Sequence, residues 1–176
     1  RRQRQMCIRD NKGIAPWNES RELIKSIVVG EGITSLGQLL FNKCTVAESV
    51  SLPSTLTKMS DTKVIKYGTF RECTSLKSVT MPANLEMIGS YCFLDCTALT
   101  TVILNDKLTS IGDYAFNGCT ALKSIKFPDS LTSIGLSSFE GCTDLTTVTY
   151  GMGMTETGNL AFRNASVCLL YTSPSP

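Results

Sequence analysis

Apolar positions recur along this chain with a period much longer than that of a helix or a strand. Leu108, Ile111, Phe116, Leu122, Ile125 and Phe127 are matched 23 residues later by Leu131, Ile134, Phe139, Leu145, Val148 and Tyr150. Phenylalanines stand at Phe41, Phe70, Phe93, Phe116, Phe139 and Phe162, and the cysteines of a Cys-Thr dipeptide at Cys44, Cys73, Cys96, Cys119 and Cys142. Both series step once by 29 and thereafter by 23. Self-similarity at such a period marks a solenoid, whose repeats cannot bury their apolar faces singly and must stack. The one long step is a six-residue insertion near 60–66. A loop tip tolerates such an insertion at little cost, which favours a permitted change over a functional protrusion.

Within a turn the pattern resolves further. Around Ser124, Ile125, Lys126 and Phe127 apolar and polar residues alternate, the period of a short half-buried strand. Pro128 removes a backbone donor and stops it. Strands are therefore expected near 24–29, 47–52, 76–81, 99–104, 122–127 and 145–150. Leu131 and Ile134 form the next inward pair, and Gly135 permits a turn. The stretch 137–142, carrying Phe139, reads as about one turn of helix broken by Gly141. At about 4.8 Å per strand the stack spans roughly 25–30 Å. The segment 11–32 reads as an N-terminal cap and first strand. It holds the single tryptophan, Trp17, and solenoid ends need a cover. Residues 33–167 form the array of about five repeats. Met154 and Phe162 keep their columns without a C-terminal cap, so the array reads as cut in mid-turn.

Charge alters the picture at the ends. The chain carries 17 basic and 15 acidic side chains and no histidine, a net charge of +2. Residues 1–10 contribute four arginines against Asp10, leaving 11–167 slightly acidic. That decapeptide, RRQRQMCIRD, is encoded by CGT CGG CAG CGT CAG ATG TGT ATA AGA GAC. The last nine residues, CLLYTSPSP, are encoded by TGT CTC TTA TAC ACA TCT CCG AGC CCA. The run ATGTGTATAAGAGACA is the reverse complement of TGTCTCTTATACACAT, so both ends fit one inverted element like the arms of a transposase sequencing adapter. Residues 1–10 and 168–176 are accordingly expected to be translated adapter and are set apart from fold reasoning. The natural protein is expected to continue in both directions.

The pattern L-x-x-I-G-x-x-A-F-x-x-C-x-x-L-x-x-V/I-x-φ-P, fitted at every position by 108–128, resembles the BspA-type leucine-rich repeat, also called the Treponema pallidum type. Residues 85–104 and 131–150 fit nearly all of it. Residues 33–53 and 56–82 depart, with Ala47 in the leucine column and the insertion breaking register. The stretch 15–37 resembles the opening segment of such proteins. The resemblance covers about 11–165. It implies an α/β-type solenoid, a right-handed superhelix with short parallel strands on its concave face and short helical or turn segments on the convex side. Similar proteins are surface or secreted proteins of anaerobic and gut bacteria and some protists, several described as adhesins. The family has no catalytic motif to carry over.

Candidate chemistry is sparse. Without histidine, the commonest activating base and metal ligand are missing. The cysteine column would stack about 5 Å apart. Its parallel side chains do not suit a disulfide, and C-x-x-C zinc spacing is absent. Cys73, Cys96, Cys119 and Cys142 read instead as a buried ladder of small apolar side chains beside the phenylalanines, and Cys92 packs inside beside Phe93. Ser78, Thr80, Thr101, Ile103, Ser124, Lys126, Thr147 and Thr149 are expected to line the concave face in two exposed columns, continued by Ser26, Val28, Ser49 and Ser51. Repeat proteins bind along such surfaces, although β-propensity alone also places Ser and Thr there. No aromatic platform lies among them for stacking on carbohydrate. GMGMTETG (151–158) lacks G-x-G-x-x-G spacing and continues the repeat. Asp95 and Asp113 read as solvated surface rather than a catalytic pair. Asn18-Glu19-Ser20 and Asn164-Ala165-Ser166 are glycosylation sequons from which nothing is inferred.

These readings converge on an extracellular or cell-surface leucine-rich repeat module, monomeric, that adheres to a protein or glycoprotein through its concave face. The alternative is a passive array that spaces or displays another domain. No enzyme activity, cofactor or metal is expected. Nucleic acid does not suit the slightly acidic 11–167, and no run of 18 apolar residues offers membrane insertion.

Overall fold

The computed structural model describes residues 17–59 and 68–171. The insertion near 60–66, residues 1–10 and residues 172–176 lie outside them. Seven strands, β1 (Ser26–Val28), β3 (Ser49–Ser51), β5 (Ser78–Thr80), β7 (Thr101–Ile103), β9 (Ser124–Lys126), β11 (Thr147–Tyr150) and β13 (Cys168–Tyr171), follow one another along one side. The first six fall inside the windows that the alternation predicts. Each buries its central residue and exposes its neighbours in β1, β5, β7 and β9. Pairing is parallel and in register by repeat: Ser78 faces Thr101, Thr80 faces Ile103, and Lys126 faces Thr149. Ladder pairing joins β1-β3-β5-β7 and β9-β11-β13 as two sheets, with a seam between β7 and β9. In β13 Cys168 faces Thr147, 21 residues earlier, so this strand departs from the 23-residue period.

Between these strands lie six two-residue strands: β2 (Ser35–Leu36), β4 (Lys58–Met59), β6 (Met87–Ile88), β8 (Ser110–Ile111), β10 (Ser133–Ile134) and β12 (Glu156–Thr157). They form one continuous six-stranded parallel sheet. Leu36, Met59, Ile88, Ile111 and Ile134 point from it into the core. The protein is thus a parallel β-solenoid of about six turns.

The helix expected at 137–142 is not formed, and this corrects the reading of the convex side. The segment is a pair of tight turns, with Ser137 at φ 50° and Gly141 at φ 74°. An α-helix would use each N–H on the carbonyl four residues back. Here alternate N–H groups reach the neighbouring turn instead: Tyr114, Phe116 and Gly118 donate to Leu136, Ser138 and Glu140 at 2.8–2.9 Å. The backbone therefore runs a third set of inter-turn bonds where local helical ones were expected. Helix among the described residues is a single 3-10 stretch, Asn18–Leu23.

The core is one continuous cluster threading the turns. Phe70, Phe93, Phe116 and Phe139 are fully buried, Phe41 is nearly so, and Phe162 is half-buried. Their rings stack from Phe41 to Phe162 with centroids 5.2–5.5 Å apart and planes within 13°. That spacing follows the strand repeat, which sets how close equivalent side chains come. At the N-terminal end Trp17 continues the column, stacking on Phe41 at 5.4 Å while its Nε1 donates to the Leu40 carbonyl. Arg21 adds donors to the carbonyls of Asn42 (2.6 Å) and Leu39 (3.2 Å).

Candidate functional site

The turns position the candidate site residues as follows. On the strand face Ser78, Thr80, Thr101, Ile103, Ser124 and Lys126 are exposed, and Thr147 and Thr149 half-buried. They form two columns because their strands pair in register. The side chains between them, Val79, Val102, Ile125 and Val148, are buried and fix the outward direction of the rest. Ile103, 54% exposed, is the large apolar group at the middle of this face. Next to it across the seam comes Lys126, so an apolar and a cationic side chain occupy one column on successive turns.

One residue ahead of each strand runs a further column, Lys25, Glu48, Lys77, Thr100, Lys123 and Thr146. The N–H of Glu48 donates to Lys25, Lys77 to Glu48, Thr100 to Lys77, and Thr146 to Lys123. Lys77 Nζ lies 2.6 Å from Glu48 Oε2, with both side chains more than 60% exposed. Lys77, followed by Lys25, holds the Glu48 carboxyl below its ordinary range. The sequence reading did not single out this margin, whose signal is a charge pattern at the repeat period.

Threonines elsewhere do different work. The hydroxyls of Thr100, Thr109, Thr120, Thr132, Thr146 and Thr155 each donate to a carbonyl one turn back, at 2.9–3.3 Å. The carbonyls of Lys77, Glu86, Thr109, Lys123 and Thr132 also accept the N–H of the same threonine, so the hydroxyl fills a second lone pair. A notch of about 360 Å³ at the N-terminal end is lined by Asn18, Arg21, Glu22, Asn42 and Lys43 among others, and a second of about 280 Å³ lies against Tyr150 of β11 and Tyr171 of β13.

The cysteine column is buried, and it is not merely apolar. Cys73, Cys96, Cys119 and Cys142 each donate Sγ–H to the carbonyl of a phenylalanine on the preceding turn, Phe41, Phe70, Phe93 and Phe116, at 3.1–3.2 Å. That carbonyl also receives the N–H of the cysteine three residues on in its own turn. The thiol therefore saturates a second lone pair inside the core. Burial pushes Cys92 and Cys142 up to about 12, and raises Cys96 and Cys119 as well. Such thiols are protonated and shielded, the opposite of a reactive nucleophile.

Of the acidic residues weighed from sequence, Asp113 uses Oδ1 to accept the Leu136 N–H at 2.8 Å. Asp95 is half-buried, and desolvation, followed by the neighbouring Glu72, raises its carboxyl. Neither forms a carboxylate pair with the other. Among the described residues no group of three His, Cys, Asp or Glu side chains is placed to hold a metal. No described helix is long and apolar enough to cross a membrane. An aromatic pair does exist on the turn side, where Tyr91 and Tyr114 stack at 5.0 Å. The repeat spacing Tyr91-x-Phe93 and Tyr114-x-Phe116 signalled it.

Residues 19–63 and 59–168 match the BspA type leucine-rich repeat region, in six copies. No curated protein matches the chain in sequence. Among solved structures, a leucine-rich repeat protein from Bacteroides ovatus is 35% identical with a TM-score of 0.72, over 85% of this chain and 38% of that one. The T. pallidum leucine-rich repeat protein is 22% identical with a TM-score of 0.66, over 84% and 73%. A leucine-rich repeat protein from Eubacterium ventriosum, 18% identical with a TM-score of 0.63 over 86% and 44%, shares the fold. The chain thus spans less than half the length of the B. ovatus protein. With its 23-residue period, stacked phenylalanines and thiol ladder matched by six family copies, the chain belongs to the BspA-type leucine-rich repeat family.

Proposed function

We propose that this chain is an adhesion module, displayed at a cell surface or secreted, that holds a protein or glycoprotein along its strand face. On this reading the strand face is the concave side of the stack and the module acts as a monomer. The observation that carries the proposal is the pair of columns, Ser78, Thr101, Ser124 and Thr147 beside Thr80, Ile103, Lys126 and Thr149, exposed but for the half-buried Thr147 and Thr149 and held in register within each of two parallel sheets that meet at the β7–β9 seam. Short hydroxylated side chains leave the backbone approachable, and a flat, preorganised surface loses little entropy on binding. Ile103 supplies an apolar anchor in the middle. Catalysis has no comparable support. The buried cysteines are protonated, histidine is absent from the chain, Asp113 accepts a backbone N–H, and Glu72 and Glu140 pair with basic side chains.

The test is the double variant Thr101→Arg/Ser124→Arg, screened with the parent chain against an array of extracellular-matrix and plasma proteins. A ligand bound by the parent and lost by the variant, at unchanged melting temperature, is the expected outcome. Undiminished binding by the variant would remove the strand face from the reading. The second reading, a passive array that spaces another domain, is favoured by the corner threonines, whose hydroxyls serve inter-turn bonds. It predicts that neither protein captures anything from the array.

A further inference from the structure

Charge is not distributed evenly around the solenoid. On strands β1, β3, β5, β7, β9 and β11 and the residue leading into each, the charged groups are Lys25, Lys77, Lys123, Lys126 and Glu48, four cations and one anion. Elsewhere among the described residues carboxylates outnumber cations twofold. Representative ones sit on the turn side, Glu72, Asp95 and Glu140, and in the connections, Asp113, Asp129 and Asp106. One sheet face of an otherwise acidic module is therefore basic.

We propose that the partner taken along this face is an acidic polypeptide segment, extended along the stacking direction, with a carboxylate at about every third residue. The inference rests on the strand face being the binding surface and names the chemistry of its occupant.

Three observations carry it. The first is complementarity. Lys25, Lys77, Lys123 and Lys126 are all exposed, and around Lys123 and Lys126 no carboxylate shares the face. Glu48 and Lys77 do pair, but an ion pair this exposed is worth little, so an incoming carboxylate can replace Glu48 at Lys77 cheaply. The second is pitch. Lys25, Lys77 and Lys123 occupy alternate turns of one column. At about 4.8 Å per turn they recur every ~10 Å. A polyproline II chain returns to the same side every third residue, about 9 Å further on. A ligand of that form meets successive lysines without changing its conformation. The third is width. Strands of three residues make a face only about 10 Å across, and its columns run along the stack, so the long dimension available to a chain is the axial one. The hydroxyls of Ser78, Thr101 and Ser124 then lie where they can donate to the carbonyls of a polyproline II backbone, which has no internal hydrogen bonds. Ile103 offers an apolar contact to proline.

The probe is a fluorescein-labelled peptide of five Asp-Pro-Pro repeats, measured by anisotropy against the whole chain. A control peptide has the same composition but its five aspartates contiguous. The repeating peptide is expected to bind at least tenfold more tightly than the control and to weaken as salt rises. Lys123→Glu/Lys126→Glu is expected to lose at least tenfold at an unchanged melting temperature, and Lys107→Glu, in the connection between β7 and β8, to bind like the parent. Equal affinity for the two peptides, indifference to the double substitution, or no binding of the repeating peptide would each overturn the proposal. So would binding of heparin in its place, which would assign the face to a sulfated glycan. Should the matrix-protein array yield a ligand sensitive to Thr101→Arg/Ser124→Arg while the acidic peptide fails, the strand face stands as the binding surface and the acidic partner falls.

Discussion

Ser138 is fully buried and its hydroxyl has no hydrogen-bond partner among the described residues, whereas the equivalent positions one turn either side are Ala115 and Ala161. A buried unpaired hydroxyl costs about 1–3 kcal/mol. Ser138→Ala is therefore expected to raise stability by about 1 kcal/mol, read as a higher urea midpoint; a lower midpoint would mean the hydroxyl is satisfied in solution. Asp95 presents a related conflict. It holds φ 58° in the column that places Gly118 and Gly141 at 73–74°. A left-handed non-glycine residue costs roughly 1–2 kcal/mol, of which glycine's greater unfolded entropy offsets a part. Desolvation and Glu72 also raise its carboxyl. A raised folded value means the neutral acid is favoured in the fold. That contribution is fully present below the ordinary aspartate range and is lost as pH rises through the folded value. Asp95→Gly should thus stabilise the chain by about 0.5–1 kcal/mol at neutral pH, with the gain shrinking in acid. Urea titrations at the two pH values decide it, and a gain independent of pH would leave only the backbone argument. The repeat alignment makes this column visible in sequence, since glycine occupies it twice. The strain itself is not, because Lys43, Glu72 and Asp95 give no hint that their backbone follows glycine's.

At the scale of elements, what was legible depended on length. Three-residue strands with a buried centre announce themselves by alternation, as Ser124-Ile125-Lys126 does. The two-residue strands of the second sheet do not, because Ser110-Ile111 is too short to show a period. Phe139 invited a helix, yet its N–H donates to Ala161 on the next turn and no i→i−4 bond forms. That outcome is decided by the neighbouring turn, so local pattern alone could not supply it. Of the expected strand-face positions, Ser78, Thr80, Thr101, Ile103, Ser124 and Lys126 are exposed while Thr147 and Thr149 are half-buried; the lysine margin sits outside the alternating residues and leaves no signal in the alternation. The phenylalanine column is the element-scale prediction. Phe116 is fully buried, and its ring stacks on Phe93 and Phe139 at 5.2 Å each. Phe116→Ala leaves a cavity between two rings and is expected to cost about 3–5 kcal/mol. Phe162→Ala, half-buried with a ring stacked on Phe139, should cost less. Equal losses in thermal or urea melts would contradict a column that is tightest in the middle.

For the whole molecule the same thiol environment recurs on successive turns, so small effects add along the stack. Folding is quasi-one-dimensional, each turn resting on its neighbours. Cys92 and Cys142 are pushed up to about 12, and Cys73, Cys96 and Cys119 also upward. Burial leads at Cys92, Cys96, Cys119 and Cys142. The contact with Cys44 leads at Cys73, and Cys44 itself moves the other way. An unfolded thiol loses its proton near pH 8.5. In the raised group the folded state keeps protons that the unfolded state releases, so stability must fall as pH rises. It is fully present below the unfolded value and is lost between there and the folded value, a window from about pH 8.5 to about 12 for Cys92 and Cys142. The urea midpoint is expected to hold steady from about pH 6 to 8 and to drop by about pH 10. Tyr91 and Tyr150, also raised by burial, push in the same direction, so the thiols need their own readout. Thiolate ultraviolet absorbance supplies it. At about pH 10 Cys73, Cys92, Cys96, Cys119 and Cys142 of the folded chain should show no thiolate. Unfolding in urea at that pH should bring those signals up together. No rise in thiolate absorbance on unfolding, or a midpoint indifferent to alkali, would mean that the core does not hold these five thiols protonated.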